Sequence, residues 1–221
     1  MELTDVMRTT FAAREFTDQP VSDETLYGLL DLARFAPNGG NRQGWSVIVV
    51  REQATKEAIA RLGEHAARRY AAQRAAGESP WNTVTPSAVT DDEVARTPVT
   101  AALTKPLANA PVLVVVCVDL RVVASMDQHL DRVGIISGAS VYPFAWNVLL
   151  AARNAGLGGT ITTMSIAAEP ALKTLLGIPE HVAVCALMPL GYPVRQLTRL
   201  KRLPVEEFAR LERWDGAPLA R

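Results

Sequence analysis

Three apolar runs constrain this chain more than anything else in it: WSVIVV at 45–50, PVLVVVCV at 111–118 and VAVCALMPL at 182–190. The VIVV that closes the first run does not alternate, which suits a strand covered on both faces rather than one with a wet side. Between the runs the apolar spacing changes to three and four. Leu26, Leu29, Leu30 and Ala33 mark one buried helix face, Ser22 is placed to cap that helix, and Asp23 and Glu24 fall in its first turn. Pro37 stops it. Further helices are predicted over 3–12, 54–76, 132–155 and 167–176, with a short one from about 91 and a brief β segment at 160–163. Helices alternating with apolar strands make an α/β or α+β layered domain. Nothing repeats, and 221 residues suit one domain spanning 1–221.

Residues 77–110 resist assignment. They are proline-rich and change character repeatedly, which marks a lid or partner-contacting excursion within the domain. Trp81 inside it reads either as a packing residue or as an aromatic surface for a substrate. The twenty uncharged residues 133–152 imitate a membrane span in length. Ser137, Ser140, Asn147 and Pro143 interrupt them, so a buried helix is the better account, with Gly134, Gly138 and Ala139 allowing close approach of a symmetry mate. The N-terminus carries no apolar signal core, and the cytoplasm is the expected location. Lys plus Arg balance Asp plus Glu at 23 each, which argues against a nucleic-acid partner. Cys117 and Cys185 lie inside apolar runs and read as buried thiols, not as a disulfide or a zinc site.

Several chemistries lack their motifs. There is no GxGxxG after a first strand, no GxxxxGK[ST] and no GxSxG. His65, His129 and His181 are scattered without ligand-like spacing, so neither a metal site nor a catalytic side chain is assigned. What remains is ARFAPNGGNRQGW at 33–45, where two glycines, two asparagines, an arginine and a glutamine separate a helix from a strand. It is a structured turn or a loop that wraps a flat polar ligand. Polar anchors without a nucleophile suit a protein whose reactive group is an organic cofactor.

Three segments in register resemble the nitroreductase family of flavin enzymes. Residues 9–50, TTFAAREFTDQPVSDETLYGLLDLARFAPNGGNRQGWSVIVV, resemble its opening, which runs from a basic residue through F-x-x-x-P-V to A-P-S-x-x-N-x-Q-P-W. Residues 139–159, ASVYPFAWNVLLAARNAGLGG, are similar to its central helix, and 188–208, MPLGYPVRQLTRLKRLPVEEF, to its G-Y-P followed by R-x-P. The resemblance implies an α+β, three-layer fold with a central, mostly antiparallel sheet flanked by helices, and an intertwined homodimer with FMN at the subunit interface. It also implies roles for residues. Arg14 takes the position of the opening basic residue at the phosphate or ribityl region, and Asn38 that of the serine of A-P-S. Asn41 and Gln43 match the amides at the flavin edge. Ile161, Thr162 and Thr163 stand where backbone donors approach the ring's N5 side, and Lys201 and Arg202 where the late basic residues reach phosphate.

The implied activity is ping-pong hydride transfer through flavin N5, from NAD(P)H to a nitroaromatic or quinone acceptor, with neither nucleic acid nor membrane as partner. The alternatives are an FMN dehydrogenase or reductive dehalogenase acting on a small metabolite, and a non-enzymatic flavin-binding or storage protein. Two departures stand out. Thr10, Phe11, Ala12 and Ala13 occupy the stretch where the family shows R-x-S-x-R, with Arg8 or Thr10 as possible compensation. Gly44 replaces the proline before Trp45, a change expected to loosen the backbone. The first predicts weaker FMN retention, and the two together leave room for a deazaflavin, ranked below FMN.

Overall fold

A computed structural model of the chain describes residues 1–220. Its sheet contains β1 (Trp45–Val50), β2 (Val112–Asp119), β3 (Gly158–Gly159) and β4 (Val182–Gly191). The strand order is β1-β2-β4-β3 and every pairing is antiparallel. The helices are α1 (Leu3–Thr9), α2 (Asp23–Ala33), α3 (Gln53–Leu62), α4 (Glu64–Ala75), α5 (Asp91–Arg96), α6 (Ala101–Asn109), α7 (Tyr142–Asn154), α8 (Glu169–Leu176) and the single turn α9 (Val205–Phe208).

β2 explains why the sheet is coated on both sides. Its side chains alternate between faces, yet from Val112 to Val118 each is buried. Val112, Val114 and Val116 join one core with Leu26 and Leu29 of α2 and Phe144 and Val148 of α7. Leu113, Val115 and Cys117 join the other with Ile59 of α3, Leu107 of α6 and Leu172 of α8. The result is three layers, helix on sheet on helix, as the apolar runs and the family resemblance predict. Each fully buried aliphatic side chain in these layers stabilises the fold by roughly 1.5–3 kcal/mol.

The helix ends follow local chemistry. Ser22 Oγ accepts the Thr25 N–H at 3.1 Å, the expected cap of α2, worth about 1 kcal/mol. The predicted 54–76 helix is divided at Gly63, where a Cβ would sit 2.9 Å from Ser165 Oγ. Ser165 is itself buried and donates to the Ile59 carbonyl at 2.7 Å, so a distant turn, Met164–Ala168, fixes the break. The predicted 132–155 helix begins only at Tyr142, with Pro143 in its first turn where a missing N–H costs nothing. Ahead of it lies a 3-10 segment, Ile136–Ser140, so Gly134, Gly138 and Ala139 are not on a long interface helix. The brief β segment falls at Gly158–Gly159, with Thr162 bridging Leu187 beyond it. No helix among the described residues is long and apolar enough to cross a membrane. Within 77–110, α5 packs on α4 and α6 on α3, leaving 77–90 as the irregular part.

Candidate functional site

Arg14 is placed by backbone, not by its own side chain. The segment carrying it zips along the β3 edge: Ala12 bridges Gly159, and the Ala13 N–H donates to the Gly159 carbonyl at 3.0 Å. Past Arg14, Phe16 bridges Pro193 and the Thr17 N–H reaches the Tyr192 carbonyl at 2.8 Å. The approach is possible because β3 is glycine. A Cβ on Gly158 would lie 2.9 Å from Ala13 Cβ, and one on Gly159 2.7 Å from the Pro189 carbonyl oxygen and closer still to Leu190.

So held, Arg14 faces a cavity of about 180 Å³ that it lines with Tyr70, Pro106 and the run Thr160–Met164. Its guanidinium makes one hydrogen bond, to the Ala12 carbonyl at 3.2 Å, and it has no carboxylate partner among the described residues. Most of its donors are therefore available for an anion. Ile161, Thr162 and Thr163 line the same cavity. Thr162 exchanges both backbone hydrogen bonds with Leu187 at 2.9 Å, so backbone donors for a ligand come from its neighbours Ile161 and Thr163. The structure thus brings four of the residues named from sequence into one place. Tyr70 and Pro106 carry no motif of their own and were found only by the fold.

The amide loop is elsewhere. It runs into β1, the far edge strand. Trp45 pairs with Val118, whereas Gly159 pairs with Leu190 and so lies in the row of Val112. The loop and the Arg14 segment therefore occupy opposite corners of the sheet, roughly 20 Å apart along the strands and roughly 14 Å across them. The loop is a tight, left-handed turn: Gly40, Asn41 and Gln43 have φ of 63°, 52° and 50°. Asn38 Oδ1 accepts the Gln43 N–H at 2.8 Å, and the Gly39 N–H donates to Ser140 Oγ at 3.1 Å. That geometry leaves the side chains of Asn41 and Gln43 exposed and Asn38 half-buried as the brace. Gly44 is not loose: its carbonyl accepts the Asp119 N–H at 2.8 Å, and a Cβ there would lie 2.7 Å from Val122 Cγ2. Lys201 and Arg202 are exposed on the C-terminal segment and do not line the Arg14 cavity. Thr10 offers no compensation at the site, being buried with its hydroxyl donating to the Val6 carbonyl at 2.7 Å.

A second, larger cavity of about 660 Å³ shares Thr163 and Met164 with the first. Trp81, Ile135, Tyr142 and Cys185 are among its walls. Burial pushes the Cys185 thiol up to about 12 and raises Tyr142 above its ordinary value, so neither is an anion near neutral pH. No group of His, Cys, Asp and Glu among the described residues is arranged to hold a metal.

Residues 7–192 match the Nitroreductase family. The iodotyrosine dehalogenase 1 homolog of Caenorhabditis elegans is 30% identical over 209 residues, covering 93% of this chain, and the chain spans 59% of that relative's length. Among solved structures, NADPH:FMN oxidoreductase from Vibrio harveyi complexed with NAD+ superposes with a TM-score of 0.69 at 19% identity, covering 96% of this chain and 77% of the other. An iodotyrosine deiodinase bound to FMN and 3-iodo-L-tyrosine gives a TM-score of 0.66 at 21% identity, with 96% of this chain and 100% of the other covered.

Proposed function

Since the chain belongs to the nitroreductase family, we propose that it is an FMN-dependent oxidoreductase that draws reducing equivalents from NAD(P)H and passes them to a nitroaromatic or quinone-type acceptor. The observation that carries the reading is the Arg14 cavity, where a cation without a carboxylate partner faces a backbone run held open by a glycine strand. Those residues fit a phosphorylated flavin. A guanidinium fork meets phosphate oxygens with paired, charge-assisted bonds, and the amides of Ile161 and Thr163 supply neutral donors for the ring's N5 side.

When bound, FMN supplies a carrier that accepts two electrons and returns them. The chain's part is to hold, orient and exclude water. Arg14 anchors the phosphate end. Asn41 and Gln43 offer side-chain amides that donate and accept, which suits the alternating polar edge of the ring. Lys201 and Arg202, exposed and outside the Arg14 cavity of their own chain, are assigned to the phosphate only through the family resemblance. Because the cation and the amides lie at opposite corners of one sheet, we assign them to two subunits of a homodimer, with the amide loop of one chain meeting the Arg14 cavity of its partner. The net reaction is NAD(P)H plus a proton plus quinone to NAD(P)+ plus hydroquinone. It demands no protein acid or base.

A second reading, reductive removal of halide from a halogenated aromatic, is favoured by the identity to the iodotyrosine dehalogenase homolog. One set of measurements separates the readings. Yellow protein that bleaches anaerobically with NAD(P)H and then turns over a quinone or nitroarene supports the first. Halide release from iodotyrosine with slow quinone turnover supports the second. Flavin that stays bound and never turns over makes the protein a flavin carrier.

A further inference from the structure

We propose that Tyr70 is a cofactor-binding residue: its hydroxyl and the Arg14 guanidinium donate to one and the same oxygen-bearing group, and α4 thereby supplies the hydroxyl that the opening segment lacks. The proposal deepens the function assigned above and rests on its reading of the Arg14 cavity as a flavin site.

The family pattern sets a cation and a serine hydroxyl ahead of Arg14, and Thr10, Phe11, Ala12 and Ala13 stand there instead. Thr10 is turned inward onto the Val6 carbonyl, while Ala12 and Ala13 are engaged with Gly159 of β3. Of this stretch only Arg14 lines the cavity.

A hydroxyl stands across the cavity from it, on Tyr70 of α4. Tyr70 shares a helix face with Ala66, Ala67 and Gln73, at the three-and-four spacing. Those three are buried, whereas Tyr70 is half-buried. The Tyr142 hydroxyl is satisfied by the Cys185 carbonyl at 3.3 Å, but that of Tyr70 has no hydrogen-bond partner among the described residues. No side-chain oxygen among them is both buried and unpartnered, so the Tyr70 hydroxyl opens onto free space and not onto packed apolar atoms. A phenol kept only for packing usually finds a partner for its oxygen, as Tyr142 does. α4 is also clamped. A Cβ on Gly63 would lie 3.3 Å from Met164 Cβ, so the helix starts packed against the end of the Thr160–Met164 run. On its other side, Arg68 donates to the Thr97 carbonyl and Arg69 to Asp91 at 2.7 Å, which ties it to both ends of α5. The ring has little freedom to swing away.

The space between Tyr70 and Arg14 suits a hydrogen-bond acceptor. Its polar side chains are Arg14, Tyr70, Thr160, Thr162 and Thr163, and no Asp or Glu lines it. Thr160 is only 6% exposed, and its hydroxyl makes a single long bond, 3.4 Å to the adjoining Ile161 carbonyl. A guanidinium has donors only, and a phenol adds one uncharged O–H, so the two converge on one acceptor without repelling each other. At about 180 Å³ the cavity is smaller than the roughly 300–1,000 Å³ that encloses a whole ligand, so it takes one part of the flavin. That part is the phosphate or the carbonyl edge of the ring. Both accept hydrogen bonds, and comparing FMN with riboflavin tells them apart.

The test strips the purified full chain of flavin and titrates FMN and riboflavin back, read by flavin fluorescence, beside the unfolding midpoint of the stripped protein. Tyr70→Phe keeps the ring and removes only the oxygen. It is expected to leave the midpoint in place and to raise the FMN Kd about three- to thirtyfold, the span from a neutral to a charge-assisted bond. A rise confined to FMN puts the bond on the phosphate. An equal rise for riboflavin puts it on the ring, and Arg14 with it. In an Arg14→Ala background the effect of Tyr70→Phe should differ by roughly threefold or more, because two donors to one group are coupled. Affinity for both flavins unmoved by Tyr70→Phe overturns the proposal. So does a loss matched by a fallen midpoint, or a double variant whose loss is the simple product of the two single ones. Failure of the function reading looks different: the protein takes up neither flavin. Inorganic phosphate, followed by its 31P linewidth, then reads the two donors directly. Broadening that Tyr70→Phe and Arg14→Ala each weaken leaves the paired site standing, and broadening indifferent to Tyr70→Phe overturns it.

Discussion

The Asp127 carboxylate accepts the Ile135 N–H at 2.8 Å, closing the loop ahead of α7 from within. Ile136 N–H at 3.3 Å, Arg132 at 2.7 Å and the Ser125 hydroxyl at 3.4 Å complete the cluster, and Asp127 is only 3% exposed. Chiefly through the Ile135 N–H, and then through Arg132, its carboxyl is held down to about 2 from an ordinary 3.8. A folded-state value below the unfolded one gives stability that is present above about pH 4 and lost as pH falls toward 2. Asp127→Asn should therefore unfold at lower denaturant than wild type at pH 7, and the gap should close by pH 2. Hydrogen exchange at the Ile135 and Ile136 amides should quicken in the variant. Parallel pH profiles for the two proteins would refute the role.

Arg14→Ala tests the anchoring role separately from the fold. Arg14 is exposed, and its one hydrogen bond is local, so unfolding should shift little. A lost charge-assisted bond is worth roughly 1.5–3 kcal/mol, so FMN affinity should drop about tenfold to a hundredfold. Flavin content after dialysis, set beside an unfolding curve, reads both. Unchanged flavin content would remove Arg14 from the site.

Gly159→Ala should damage both. The added methyl meets the Pro189 carbonyl oxygen at 2.7 Å and the Leu190 side chain, so β3 must move. Overpacking of this kind costs about 1–3 kcal/mol, or roughly 3–10 °C in Tm for a chain this size. Because Ala13 hangs from the Gly159 carbonyl, Arg14 shifts with it and flavin affinity falls as well. Loss of stability with full flavin affinity would show that Arg14 is placed some other way.

The strands and the capped helix were legible because their signals are local: apolar runs for β1, β2 and β4, and Ser22 with Leu26 and Leu29 for α2. The misplaced features have distant causes. Gly63 breaks the helix over 54–76 because Ser165 lies against it. The uncharged run 133–152 reads as one helix, but Asp127 pins the amides of Ile135 and Ile136 in a loop, and the helix waits for Tyr142. The site shows the same divide. Arg14 and 161–163 came from the family's pattern, and the sheet explains why they meet. Trp81 stayed ambiguous in sequence, since its left-handed backbone is imposed by Gln73, and no spacing announces that.

Gly44 stands where the family resemblance places a proline, and the structure gives a reason to keep glycine. A residue before proline is driven toward extended backbone, yet Gln43 has a φ of 50°, fixed by the Asn38 side chain on its N–H. The Gly44 position also lacks room, with Val122 Cγ2 2.7 Å from where a Cβ would stand. Gly44→Pro must therefore expel Gln43 from its left-handed turn or push Val122 aside. We expect a loss of about 1–3 kcal/mol, seen as a lower denaturant midpoint at unchanged m. Asn38→Ala, which removes the brace, should relieve part of the proline penalty, so that the two changes cost less together than the sum of each alone. Additive losses would mean that Asn38 does not set the Gln43 backbone, and the exposed amides of Asn41 and Gln43 would then owe their orientation to something other than this loop.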